Sequence, residues 1–117
     1  MPTYTQTRLA GPTLLTTSFA NIYTVGSGET TIVKQIMVCN THSSEVKFTL
    51  CLLKDGDTSA AEPDDVLFYE VALDPGETRL INLSLVMTYG TGGDAIYAKA
   101  ITTTNKITIT ISGIVET

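Results

Sequence analysis

The amino-acid sequence predicts a single all-β domain, an antiparallel β-sandwich of jelly-roll type with about eight strands. The chain is rich in threonine and β-branched aliphatic residues, which are enriched in strands. Short apolar runs with a period of two are broken at short intervals by glycine, proline, asparagine and aspartate. No segment keeps an apolar period of 3.6 over three turns, so there is no helix to cross between parallel strands. The strands should therefore pair antiparallel.

Chain length allows one domain, because 117 residues can bury one core but leave no room for a second. Residues 1–12 are polar, contain Pro2 and the Gly11-Pro12 pair, and show no sustained period. We predict an extended N-terminal arm over 1–12 and the β-sandwich domain over 13–117.

The clearest predicted strand is Lys106–Ser112, where three isoleucines alternate with hydroxyl residues as in a half-buried strand. The run 46–53 alternates in the same way, and so does the preceding run that ends near Val38. These two runs flank Thr41–Ser44, which predicts a hairpin between them. Further strands are predicted at Leu14–Thr17, Ala20–Val25, Val66–Leu73, Thr78–Val86 and Ala95–Thr102.

The two cysteines are predicted to be free thiols. Matching the apolar faces of the predicted hairpin puts Ile36 opposite Leu50. Cys39 and Cys51 then share a face but lie four residues apart, at ~3.3 Å per residue along the strands. That separation exceeds the limit of about 7 Å between the Cα atoms of a disulfide.

Net charge argues against nucleic acid and membranes as partners. The chain has 12 acidic and 7 basic residues, a formal charge of −5, and its basic residues are scattered. Such a surface repels phosphate backbones and anionic lipids. No apolar run approaches the ~18 residues of a membrane span, and the N-terminus has no secretory signal pattern. We therefore expect a soluble protein that is not exported.

No constellation of catalytic or cofactor-binding residues stands out, and we predict that the chain is not an enzyme. His42 is the only histidine, and it is predicted in a turn while the nearby Cys39 belongs to a strand. General acid-base chemistry needs groups that converge in a pocket. The segment Gly90-Thr91-Gly92-Gly93 leads into a strand and lacks the lysine of a phosphate-binding loop, so it is interpreted as a hairpin tip.

An acidic segment offers an alternative, a calcium-stabilised adhesion domain that would use Asp55, Asp57, Asp64 and Asp65. Calcium needs several of these oxygens around one point. The helical calcium loop also needs glycine and glutamate where this chain has Ala60 and Val66. A solvated loop is the preferred interpretation, and no metal ligand is assigned.

Carbohydrate binding is a second alternative, in which a β-sandwich module recognises a host surface. Tyr89 and Tyr97, near the glycine-rich segment, are its candidate stacking residues. Such platforms favour tryptophan, which the chain lacks, and tyrosines fit strand positions equally well.

Much of the chain after residue 20 resembles small virion structural proteins of tailed bacteriophages. The resemblance is carried by Ile22–Thr30, Ile32–Ile36, Val38–Thr41, Leu73–Thr78 and Ile107–Gly113. It implies a β-sandwich that decorates a capsid or belongs to a tail, fibre or baseplate, made in the host cytoplasm and located in the virion. It also implies a homo-oligomer whose partners are a major capsid or tail protein, with no catalytic residues.

Gly26 departs from that family, whose members often carry proline in this turn. In an assembly protein of this kind, the N-terminal arm could add a strand to a neighbour through main-chain hydrogen bonds. The leading hypothesis from the sequence is therefore a non-enzymatic virion subunit that assembles through its arm and sheet edges.

Overall fold

The computed structural model describes residues 3–57 and 65–117, and this part of the chain forms eight strands. None of these residues lies in a helix long and apolar enough to cross a membrane. The strands are β1 Tyr4–Leu14, β2 Ala20–Thr24, β3 Thr30–Asn40, β4 Val46–Leu53, β5 Val66–Leu73, β6 Thr78–Thr88, β7 Ala95–Ile101 and β8 Ile107–Glu116.

Two four-stranded antiparallel sheets contain these strands. Sheet A has the order β1-β8-β3-β6, and sheet B has the order β2-β7-β4-β5. The first four strands pair with the last four in reverse order: β1 with β8, β2 with β7, β3 with β6 and β4 with β5. This is the jelly-roll topology, so the predicted fold class is confirmed.

One apolar core fills the space between the sheets. Ile107, Ile109 and Ile111 of β8 are fully buried, as their period of two predicts, and they meet residues of β4 such as Phe48 and Leu50. Complete burial of such a side chain stabilises the fold by about 1.5–3 kcal/mol.

The predicted hairpin between β3 and β4 is wrong. β3 lies in sheet A and β4 in sheet B, and the loop 41–45 crosses from one sheet to the other. Ile36 and Leu50 therefore enter the same core from opposite sheets instead of lying side by side in one sheet. A period of two shows which side of a strand is apolar but not which strand lies beside it.

Neither cysteine forms a disulfide, as predicted, but for a different reason. Cys39 is half-buried in sheet A and Cys51 is fully buried in sheet B, so they belong to opposite sheets. The register from which their separation was predicted does not exist.

The N-terminal segment also differs from its prediction. One strand, β1 at Tyr4–Leu14, takes the place of most of the predicted arm. The predicted strand Leu14–Thr17 is wrong, because only Leu14 belongs to β1 and residues 15–17 lie in the loop that follows. It pairs with β8 from Tyr4 opposite Glu116 to Leu14 opposite Thr108. Most of its side chains are exposed or half-buried, so β1 is held chiefly by main-chain hydrogen bonds and its sequence shows no clear apolar period. Met1 and Pro2 lie outside the described residues.

Sheet A is the longer sheet. Its strands have 10 or 11 residues, whereas those of sheet B have 5 to 8. The outer face of sheet A is therefore the larger of the two outer surfaces.

Candidate functional site

The outer face of sheet A carries most of the exposed large apolar side chains. In the described residues, eight such side chains are exposed, and five of them lie on this face. These five are Tyr4, Leu14, Met37, Leu80 and Val86, with 65%, 50%, 38%, 52% and 57% of their surface accessible.

Strand register arranges this face in rows. Ile32 of β3 lies between Ile114 of β8 and Val86 of β6, which makes one apolar row. Met37 lies beside Leu80 and forms a second apolar row.

A polar row of Ser112, Gln35 and Asn82 separates the two apolar rows. The Gln35 Nε2 amide donates a hydrogen bond to Asn82 Oδ1 at 3.3 Å. Two apolar rows with few charged residues between them suit contact with another protein surface, because interface centres are depleted in charge.

Charge on the outer face of sheet A is low. Its rows include Arg8, Lys34 and Glu116, which sum to +1 in a chain of formal charge −5. Lys34 lies where the register of β3 shifts against both neighbours, and its Nζ donates to Ser84 Oγ at 3.1 Å. The same residue borders a shallow open groove of about 470 Å³ between β1, β3 and β8. Other surfaces of the chain therefore carry most of the acidic excess.

The glycine-rich segment 90–93 binds a carboxylate from its own chain. Asp55 Oδ1 accepts N–H hydrogen bonds from Gly90, Gly92 and Gly93 at 3.0, 3.0 and 2.7 Å. Asp55 Oδ2 accepts from the N–H and hydroxyl of Thr91 at 2.9 and 3.0 Å. These donors hold the pKa of the Asp55 carboxyl group well below its usual range. The segment joins β6 of sheet A to β7 of sheet B, so it is not the hairpin tip that the sequence predicts.

Asp94 completes this connection between the β4–β5 and β6–β7 loops. Its Oδ1 accepts the N–H of Asp55 at 2.9 Å, and its Oδ2 accepts the N–H of Thr88 at 3.0 Å. The Gly56 N–H also donates to the Gly93 carbonyl at 3.1 Å. Asp55 and Gly56 are thus fixed to the β6–β7 loop at one end of the sandwich.

This geometry does not favour Asp55 as a calcium ligand, because backbone and hydroxyl donors already occupy both carboxylate oxygens. Among residues 3–57 and 65–117, no group of three acidic, histidine or cysteine residues is placed to hold a metal ion. Asp57 and Asp65 stand at the two ends of the segment 58–64, and Asp64 lies outside the described residues. The calcium alternative gains no support from the residues that are described.

Asn40 organises the opposite end of the sandwich. Its Nδ2 donates to the carbonyls of Ser44, Leu73 and Asp74 at 3.0, 3.0 and 3.2 Å. Its Oδ1 accepts the N–H of His42 at 2.9 Å, and the whole side chain is buried. His42 lies in the β3–β4 loop and Cys39 in β3, as predicted from the sequence.

The candidate sugar-stacking tyrosines belong to different structural elements. Tyr89 lies in the β6–β7 loop, where its hydroxyl donates to the Thr91 carbonyl at 3.3 Å. Tyr97 lies in β7 and is half-buried in a cluster with Cys51 and Leu53 on the outer side of sheet B. The two rings thus lie on separate elements, and carbohydrate binding stays a prediction from the sequence.

Sequence reasoning missed the outer face of sheet A and the role of Asn40. The available signal for the face was that Leu80 and Val86 share one side of their strand with the polar residues Asn82 and Ser84. The neighbouring strands could not be identified from the sequence. Nothing near Asn40 in the sequence indicates that Leu73 and Asp74 lie beside it.

Comparisons with known proteins give a distant structural likeness. No protein-family model matches the chain, and no curated protein matches it. A similar solved chain belongs to the structure of infectious bursal disease virus, Gx strain, with a TM-score of 0.47 and 10% sequence identity. The match covers 99% of the present chain and 31% of that chain, so the present chain spans about a third of its length. A likeness at this level carries neither family membership nor function to the present chain.

Proposed function

We propose that the chain is a non-enzymatic structural subunit of a virion, and more specifically a capsid decoration or tail-associated protein of a tailed bacteriophage. The observation that carries the proposal is the jelly-roll strand order, β1-β8-β3-β6 packed on β2-β7-β4-β5. Viral capsid proteins, lectins and cupins are built on this topology. The resemblance of residues after position 20 to phage virion proteins supports the first of these uses.

Core composition favours a structural role over a ligand site between the sheets. The interior is filled by apolar side chains such as Ile36, Phe48 and Ile109, which are fully buried. The buried polar side chains in the described residues are Thr31, Asn40 and Thr49, and none of them is ionisable. A packed interior of this kind supports the fold and leaves recognition to the outer surfaces.

The outer face of sheet A supplies a surface suited to assembly. It combines exposed apolar rows with a charge near zero, whereas the chain as a whole is acidic. Exposed apolar patches on otherwise polar proteins commonly mark contacts with other proteins. We propose that this face contacts a major capsid or tail protein, and that the sheet edges connect copies of the chain to one another.

An attachment role for the N-terminal arm needs a different test from simple truncation. Deleting residues 1–12 would remove most of β1 and expose the edge of β8, which lies inside sheet A. Loss of binding after such a deletion could then reflect loss of structure. Single substitutions on exposed positions avoid this ambiguity.

A sedimentation experiment tests this proposal. It uses particles that are assembled from a genome in which the gene for this chain is disrupted. Purified chain is added back, and the amount that sediments with the particles is measured. We expect wild-type chain to bind in a fixed ratio. Met37→Lys on the outer face of sheet A should bind less, whereas Leu67→Lys on β5 should bind normally. The two positions are matched in exposure, at 38% and 39%.

Absence of the chain from purified wild-type particles would overturn the virion proposal. Equal binding by the Met37→Lys and Leu67→Lys variants would keep the virion role but reject the outer face of sheet A as the contact.

A further inference from the structure

Edge strands of a sheet expose unpaired N–H and C=O groups, and proteins that stay apart usually protect them. In the described residues the four edge strands are β1, β2, β5 and β6. β1 contains Pro12 and two register shifts against β8. β2 has only five residues. β5 has register shifts against β4 and a left-handed residue, Glu70, with φ 45°. Each of these three edges thus carries a feature that disfavours pairing with another chain.

β6 lacks such protection. It is 11 residues long, contains no proline or glycine, and has Arg79 as its single charged residue. Its side chains alternate between exposed and less exposed along the whole strand, even where the register of β3 shifts opposite it. In the described part of the chain, no strand pairs with β6 on the side away from β3.

The sequence of β6 is nearly symmetric about Leu83. Polar residues flank the centre, apolar residues follow, and threonine stands at both ends. An antiparallel copy centred on Leu83 would match Asn82 with Ser84, Ile81 with Leu85, Leu80 with Val86 and Thr78 with Thr88.

We propose that β6 of one copy pairs antiparallel with β6 of a second copy around Leu83, which joins two A sheets into one eight-stranded sheet. The pairing is isologous, since each contact occurs twice about a two-fold axis. The inference deepens the proposed function by naming one contact of the assembly, but it concerns the isolated protein in solution.

Side-chain chemistry favours a second copy as the occupant of this edge. On the exposed side, Leu80 of each copy lies opposite Val86 of the other, and 52% and 57% of their surfaces are accessible in the single chain. Cross-strand apolar pairs of this kind stabilise antiparallel sheets. The dimer would contain this contact between Leu80 and Val86 twice. The exposed sides of the two A sheets would form one continuous surface.

Charge is also compatible with self-pairing. Arg79 would lie opposite Met87 of the other copy, so no like charges meet within the paired strands. Arg79 would also approach the end of β6 where the Asp94 carboxylate accepts the Thr88 N–H at 3.0 Å. Arg79 also forms an ion pair with Glu77 of its own chain at 2.8 Å, so the charge that it brings to the contact is already balanced.

A charge-pattern experiment tests both the contact and its register. The mass of the purified full chain is measured by light scattering and sedimentation at high micromolar concentration. Wild type should behave as two chains of 12.5 kDa each. The double variant Leu80→Lys with Val86→Lys places like charges directly opposite each other twice, so its dimer should be weaker by at least about tenfold.

The double variant Leu80→Glu with Val86→Lys serves as the matched partner of that experiment. It changes the same two positions but places opposite charges across the strands, so it should dimerise, and its dimerisation also shows that these positions tolerate charge. Met37→Lys, on the same outer face but on β3, should dimerise as wild type does.

A monomeric wild type or an odd-numbered oligomer would overturn the proposal. So would a two-lysine variant that dimerises as tightly as wild type. A Met37→Lys variant that is weakened equally would place the contact on the face of the sheet and overturn the edge. Failure here is distinguishable from failure of the virion role, because a monomer can still sediment with particles.

Discussion

Replacing Asn40 by aspartate should destabilise the fold in a strongly pH-dependent way. The side chain is fully buried, and its amide donates to three carbonyl oxygens. The N40D substitution keeps the shape and the acceptor for the His42 N–H. It replaces the amide donor by a carboxyl oxygen that faces those three carbonyls, so the ionised form is disfavoured and the pKa of the new group rises on folding.

Structure sets the magnitude of this effect. When the new carboxyl group is protonated, it retains one donor, and the loss is about one hydrogen bond, or about 0.5–1.5 kcal/mol. Holding it protonated at pH 7 against an unfolded pKa of about 3.9 adds up to about 4 kcal/mol, at about 1.36 kcal/mol per pH unit. A raised pKa means that the native state binds the additional proton. The variant should therefore lose stability relative to wild type as pH rises from about 4 to 7.

Urea unfolding of wild type and N40D at several pH values between 4 and 7 measures this difference. N82D is the matched control, since Asn82 is exposed and acts as a hydrogen-bond acceptor from Gln35. Its stability should follow that of wild type closely. A deficit of N40D that is equal at pH 4 and pH 7, or that N82D shares, would refute the reasoning.

Three further predictions concern the loops, the thiols and the core. D55N should lower the melting temperature by a constant amount at neutral pH, and its difference from wild type should shrink below about pH 4. A carboxyl group whose pKa is depressed on folding stabilises the fold only above the pKa that it has in the unfolded chain. The control E45Q should show neither effect. In the native protein a thiol reagent should modify Cys39 and reach the fully buried Cys51 only after unfolding, so rapid native labelling of a C39S variant would contradict this. I36A removes a fully buried side chain and should cost about 2–5 kcal/mol in urea unfolding, and a loss under about 1 kcal/mol would contradict the packing described.

Local patterns identified most strands but not their partners. The alternation at Lys106–Ser112 correctly predicts β8, and Thr78–Val86 predicts nearly all of β6. β1 was interpreted as an arm because its side chains bury little, while its stability comes from main-chain bonds to β8 that leave no mark on composition. An edge strand of this kind is visible only when its neighbour is known.

The candidate surfaces depended even more on the fold. Asp55 was interpreted as part of an acidic calcium-like segment, yet its carboxylate binds four consecutive residues that are 35 to 38 positions away in sequence. The outer face of sheet A combines residues from four strands, so no contiguous segment encodes it.

The sequence by itself determined the all-β class, most of the strands and the side of those strands that is buried, because these follow from periodicity within a single strand. Only the tertiary structure decided that β3 and β4 lie in opposite sheets, that β1 belongs to sheet A and that β6 is an unprotected edge. Strand pairing joins residues that are far apart in the chain, and several pairings bury the same apolar side chains. The choice among them is made by the packing of the whole molecule.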